Sequence, residues 1–158
     1  MRSNQLSKSE TTQTVKEISS QWNIDFSRVK TLTIHAVEDE IGIITGDGLV
    51  AIKFGQTYLP FLSETSLLER FPKVVVDSGA IKFVCNGANI MRPGIKKYTS
   101  FEKDQVVCVV EEIHNKFLAV GKSIVSSDEI TSMAKGEVIK NLHYISDKFW
   151  EAAKQIKK

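Results

Sequence analysis

The chain has 158 residues, of which 42% are hydrophobic and 25% charged, and a formal net charge of +2. This balance excludes a disordered chain and fits one folded domain or two small ones. No apolar run reaches the roughly 18 residues of a membrane span, and the polar start MRSNQLSKSETTQT is unlike a signal peptide, so a cytoplasmic location is expected.

Ser7 to Trp22 reads as a first helix. SKSE is a capping box from Ser7 to Glu10, and Val15, Ile18 and Trp22 recur at helical spacing, with Trp22 assigned to the core. Lys30 to Val37 alternates Leu32, Ile34 and Ala36 with polar partners, as a half-buried strand does. EIGIITGDGLVAIKF places two apolar runs around Gly46-Asp47-Gly48, which signals a hairpin. FLSETSLLERFP is a short helix with Leu67, Leu68 and Phe71 inward, stopped by Pro72. Helix, three strands and helix make a small α+β domain, residues 1–72, and Pro72-Lys73 is the expected boundary.

Beyond it, VVVD is a short buried strand, and Asp77 can cap SGAIKFVCNG, a helical segment with Ala80, Phe83 and Val84 inward and Gly87 as its left-handed stop. ANIM is extended, and Pro93-Gly94 is a turn. QVVCVVEEI and KFLAVGKSIV pair as strands. Ser126 to Glu129 forms a second capping box on a short helix ended by Gly136. VIKNLHYI is a last long strand, and DKFWEAAKQIKK a basic amphipathic tail. Residues 73–158 thus suggest a small β-barrel, and the whole chain belongs to the α+β class.

Charge separates the two parts. Residues 1–72 carry 7 basic and 9 acidic residues, whereas residues 73–158 carry 14 and 10. The second part can therefore meet a polyanion or simply be well solvated. Cys85 and Cys108 lie in apolar stretches and read as buried, reduced thiols. His35, His114 and His143 have no ligand spacing, so no metal is expected. GANIMRPG lacks both the GK[ST] of a phosphate loop and the dinucleotide fingerprint, so no nucleotide cofactor is expected either. No nucleophile has a base beside it in sequence, and Glu111-Glu112 and Asp128-Glu129 are adjacent pairs. The reading is a binding protein and not an enzyme.

KFVCNGANIMRPGIKKY, Lys82 to Tyr98, is the candidate site. Glycine lets another backbone approach, and amides beside Arg92 and Lys96 suit a phosphate. Asn86 and Asn89 can pair with a base edge or a 2′-hydroxyl, and Met91 or Tyr98 can offer an apolar face. The same residues also suit a helix stop, a tight turn and solvated lysines.

VDSGAIKFVCNGANIMRPGI resembles the signature of the PUA domain, an RNA-binding module. Together with KNLHYISDKFW it resembles, more closely, the family of the malignant T-cell amplified sequence protein and its archaeal relatives. The resemblance implies an N-terminal α+β domain followed by a PUA-type mixed β-pseudobarrel at 73–158. It implies RNA contact through Lys82, Asn86, Gly87, Ala88, Asn89, Met91, Pro93 and Gly94, with Lys96 and Tyr98 beside them; Arg92 joins this set on its charge alone. It further implies a structured RNA (tRNA at its acceptor end, or rRNA), the small ribosomal subunit, and a partner protein carrying an initiation-factor-like domain, in initiation, reinitiation or recycling. Two other functions remain open: an accessory subunit that positions RNA for a separate modification enzyme, and a protein-binding adaptor.

Overall fold

A computed structural model describes residues 1–156. The last two lysines of the expected basic tail, Lys157 and Lys158, lie outside them. Packing divides the chain into two units. One holds residues 1–61 and takes up the chain again at Lys148; the other holds residues 62–147.

The first unit is an antiparallel meander whose strands lie side by side in chain order: β1 (Ser3–Gln5), β2 (Thr33–Glu38), β3 (Ile41–Gly46), β4 (Leu49–Phe54) and β5 (Thr57–Pro60). The helix α1 (Lys8–Trp22) starts at the expected capping box: Glu10 N donates to Ser7 Oγ at 3.1 Å, and Ser7 N to Glu10 Oε1 at 2.9 Å. Thr11, Val15, Ile18 and Trp22 form its buried stripe, and Trp22 Nε1 donates to Tyr58 O on β5 at 2.8 Å.

The β3–β4 hairpin turns on Asp47-Gly48, both at positive φ, as a two-residue hairpin turn requires. Asp47 Oδ2 also accepts from Lys30 N at 2.7 Å and Thr31 N at 3.1 Å, fastening the chain that leads into β2. The expected face of β2 is partly displaced. Leu32 is buried, but Ala36 is exposed and His35 is buried in its place. The cause is β1, which pairs along β2 and gives His35 a partner in Ser3 Oγ at 2.7 Å, while Thr45 Oγ1 meets the other ring nitrogen at 2.9 Å.

The second unit opens with α2 (Thr65–Leu68) and β6 (Lys73–Val76). A 3-10 turn at Ser78–Ala80 leads into α3 (Ile81–Val84), then β7 (Ile90–Met91), a second 3-10 turn at Arg92–Gly94, and β8 (Ile95–Tyr98). There follow β9 (Val106–Glu111), β10 (Phe117–Ser123), α4 (Ser127–Ile130) and β11 (Glu137–Tyr144). The sheet order is β7-β11-β10-β9-β6-β8, with β6 parallel to β9 and the other pairs antiparallel.

The two terminal strands of this ladder, β7 and β8, are joined by only three residues. The sheet must therefore roll until its edges meet, which makes a near-closed barrel with one unladdered seam. Val74, Val107, Val109, Ala119, Val138 and Ile139 are fully buried inside it. At the bulge between Val120 and Gly121, a Cβ on Gly121 would sit 2.0 Å from Lys140 O, so only glycine fits. His143 is wholly buried: Leu62 N donates to its Nε2 at 3.1 Å, which leaves the proton on Nδ1 to donate to Asp147 Oδ2 at 2.8 Å.

Several expectations need correction. Ser126 makes no capping hydrogen bond; Ser127 Oγ accepts instead from Phe101 N at 3.0 Å. Gly136 does not end α4, which stops at Ile130; it has φ +111° and turns the chain into β11. Cys108 is buried, but Cys85 is only half-buried. The basic tail forms α5 (Lys148–Ala153), which packs on β3 with Phe149 buried 6.1 Å from the Phe54 ring and Trp150 stacked on Phe61 at 5.9 Å. Packing therefore divides the chain elsewhere than at Pro72-Lys73: α2 belongs with the second unit and α5 with the first.

Candidate nucleic-acid interface

Asp77 Oδ1 accepts from Ala80 N at 3.1 Å and so starts the helical segment where expected. The inward face of the segment falls on Ala80, Ile81, Val84 and Cys85, the i, i+1, i+4, i+5 spacing of a helical face, which leaves Phe83 on the opposite side. Phe83 was expected inward and is instead 57% exposed. Lys82, Phe83 and Asn86 form the outward row, and the Lys82 ammonium lies 5.2 Å from the centre of the Phe83 ring.

Gly87 ends the helix at φ +94°, with its N–H donating to Val84 O at 3.0 Å. A Cβ there would also meet the Tyr144 ring at 3.2 Å, so conformation and space both call for glycine. Ala88 is exposed and its N–H returns to Phe83 O at 3.0 Å.

Asn89 is occupied at both ends. Its Nδ2 donates to Glu137 Oε2 at 2.6 Å, and its Oδ1 accepts from Asn141 N at 3.0 Å. Asn141, which sequence reasoning missed, donates from Nδ2 to both Val84 O and Ala88 O at 3.0 Å, so one β11 side chain holds the whole glycine loop in place.

Met91, at the edge of β7, is 45% exposed. Arg92 beside it is half-buried and engaged: Nε donates to Ile130 O at 3.0 Å and Nη1 to Ile95 O at 3.3 Å. It pins the seam and is not the free surface cation its charge suggested. Pro93 is exposed, and Gly94 O accepts from Asp77 N at 2.9 Å, which sets the turn against the start of the helical segment. Lys96 and Lys97 are exposed on β8. Tyr98 packs partly on the core and shares a hydrogen bond with Thr131 Oγ1 at 2.8 Å.

The residues expected at the site thus split into two groups. Lys82, Asn86, Ala88, Met91, Pro93 and Lys96 face outward; Gly87, Asn89, Arg92, Gly94 and Tyr98 hold the frame. Burial raises the Cys85 thiol above its ordinary pKa and pushes Cys108 up to about 12, so neither is an activated nucleophile. Among the described residues no group of three His, Cys, Asp or Glu is placed to hold a metal ion, and no helix is long and apolar enough to cross a membrane.

Comparison with known proteins bears on this arrangement. The PUA domain family matches residues 72–145. An uncharacterized protein of Methanocaldococcus jannaschii is 41% identical over 73% of this chain and 73% of its own length. Translation machinery-associated protein 20 of Saccharomyces cerevisiae is 35% identical, covering 72% of this chain and 67% of its own. Malignant T-cell-amplified sequence 1-A of Xenopus laevis is 38% identical over 71% and 66%. In fold, the chain is similar to the crystal structure of a PUA domain from Aeropyrum pernix in a tartrate complex, with a TM-score of 0.80, 23% identity, and coverage of 97% of this chain and 91% of that one. With a PUA match over the barrel and relatives of this identity across both units, the chain belongs to the PUA-domain family of the malignant T-cell-amplified sequence proteins and translation machinery-associated protein 20.

Proposed function

We propose that this chain is a non-enzymatic RNA-binding protein acting in translation, and that its barrel unit grips the acceptor end of tRNA at the small ribosomal subunit. The observation that carries this reading is the outward row of Lys82 and Asn86, followed by a half-buried glycine with exposed Ala88 after it, in a unit that also exposes Lys96 and Lys97 on β8. Cations there neutralise phosphates, the loop lets a sugar–phosphate backbone approach, and Asn86 has donor and acceptor atoms for a base edge or a 2′-hydroxyl. Family membership and the translation-related name of the yeast relative support the setting. The N-terminal unit, in this reading, docks a partner protein with an initiation-factor-like domain.

With Arg92 committed to carbonyls, about three cations remain to meet phosphates: Lys82, Lys96 and Lys97. The expected log–log salt slope is therefore about −2 to −3. So few contacts bind weakly, and the ribosome supplies the rest by proximity. Lys82→Glu combined with Lys96→Glu is expected to reduce tRNA affinity at about 50 mM salt and to flatten that slope. The melting temperature should barely move, because both side chains are exposed. Equal tRNA binding by variant and parent would refute the assignment.

A further inference from the structure

Beside the buried stripe of α1 runs a polar row that includes Glu10, Gln13 and Glu17. With Leu6, Ile34, Ile44, Lys53 and Tyr58, this row encloses a recess of about 410 Å³ within the first unit. Ile34 and Ile44 are directly opposed across β2 and β3, so both project from one face of the sheet and give the recess an apolar floor. Tyr58 on β5 closes one side. Its hydroxyl donates to Glu17 Oε2 at 3.0 Å, while Gln13 Nε2 donates to Glu17 Oε1 at 3.1 Å.

Lys53 is the residue of this recess that packing does not explain. It opposes Tyr58 across β4 and β5, and it stands two residues from Ala51, which opposes Ile44. The lysine therefore projects from the same face as the apolar floor. Because β4 lies between β3 and β5, Lys53 does not guard an open sheet edge. It is half-buried, yet the ion pairs among the described residues leave its ammonium out. Its charge is felt across the recess: hydrogen bonds at Ser7 hold the Glu10 carboxyl below its usual range, and Lys53 adds a smaller pull. Both signs of charge thus face one small space. A simple cation there meets Lys53, and a simple anion meets Glu10 and Glu17, whereas a molecule carrying both charges is matched on each wall.

We propose that this recess binds a small zwitterion of the free α-amino-acid type. Lys53 pairs with its carboxylate, Glu10 and Glu17 accept from its ammonium, and an apolar side chain lies on Ile34 and Ile44. The volume is at the small end of ligand sites, which suits an amino acid better than a nucleotide. The site lies wholly in the first unit and is independent of RNA binding by the barrel unit.

The test titrates the full chain with L-leucine and with its two half-molecules, isopentylamine and isocaproate, following backbone amide shifts by NMR. Leucine should bind with a Kd of about 1 mM, as expected for so small a ligand. The shifts should centre on Leu6, Ile34, Ile44 and Tyr58. Each half-molecule should bind about 10-fold more weakly, because it lacks one charge-assisted contact. Lys53→Met keeps the aliphatic stem; it should weaken leucine about 10-fold and bind the amine no more weakly than the parent does. Glu10→Gln preserves the capping box; it should weaken leucine and the amine but spare isocaproate. Three results overturn the site: no shift of these amides at about 50 mM leucine, either half-molecule binding as tightly as leucine, or parental leucine binding by Lys53→Met. Should a variant melt below the titration temperature, the comparison of leucine with its half-molecules on the parent still decides.

Discussion

The guanidinium of Arg92 reaches the carbonyl of Ile130, the last residue of α4, where a helix leaves its C=O groups without intrahelical partners. A second hydrogen bond, to Ile95 O, fastens the strand that follows the turn. Hydrogen bonds to a charged donor contribute about 1.5–3 kcal/mol. Arg92→Glu should therefore lower the melting temperature clearly, where the Lys82 and Lys96 replacements do not; an unchanged thermal transition would mean that these bonds carry no stability. The sequence shows that Arg92, Asn89 and Tyr98 are polar residues in a functional stretch, but not whom they serve. Their partners Ile130, Glu137 and Thr131 lie 38, 48 and 33 residues away, and no local spacing records such pairs.

The helical segment from Ser78 to Val84 is too short to be stable by propensity and relies on its cap, its stop and its buried side. Gly87 is the stop, and Gly87→Val combines a positive φ that a β-branched residue adopts badly with a Cβ against the Tyr144 ring. It should cost on the order of 1–3 kcal/mol, read as a fall in melting temperature; a melt equal to the parent's would show that the loop relaxes freely. This stop was legible in the sequence, as were the capping box of α1, the Asp47-Gly48 hairpin and the β9–β10 pair, because each is written in adjacent residues. The facing of Phe83 was not, because in so short a helix Ala80 and Val84 fit a face shared with Phe83 as well as one shared with Ile81 and Cys85. Two strands of the first unit also escaped notice. Ser-Asn-Gln has no apolar alternation to betray β1, and β5 ends in Pro60, which reads as a terminator although an edge strand tolerates it.

Chain order and packing do not coincide in this protein, because α2 precedes the family match at residue 72 yet packs within the barrel unit. Leu68 is fully buried, and Leu62 N supplies the hydrogen bond that His143 Nε2 accepts. A fragment of residues 62–147 should therefore melt about 10 °C or more above one of residues 73–147, as expected for losing a buried leucine and a buried polar partner. Equal melting temperatures would mean that α2 is dispensable to the barrel. The place of α5 in the first unit, across 86 intervening residues of the other, is a long-range fact that its amphipathic pattern could not disclose. The barrel's seam has a further consequence. Elsewhere around the wall, each pair of neighbouring strands is stitched by backbone hydrogen bonds, whereas β7 and β8 are joined by a three-residue turn, from which Arg92 reaches Ile95 O on β8 and Ile130 O at the end of α4. The wall can therefore change its girth along that line without unzipping a strand pair, so breathing motions of the barrel are concentrated beside the surface where a ligand would arrive.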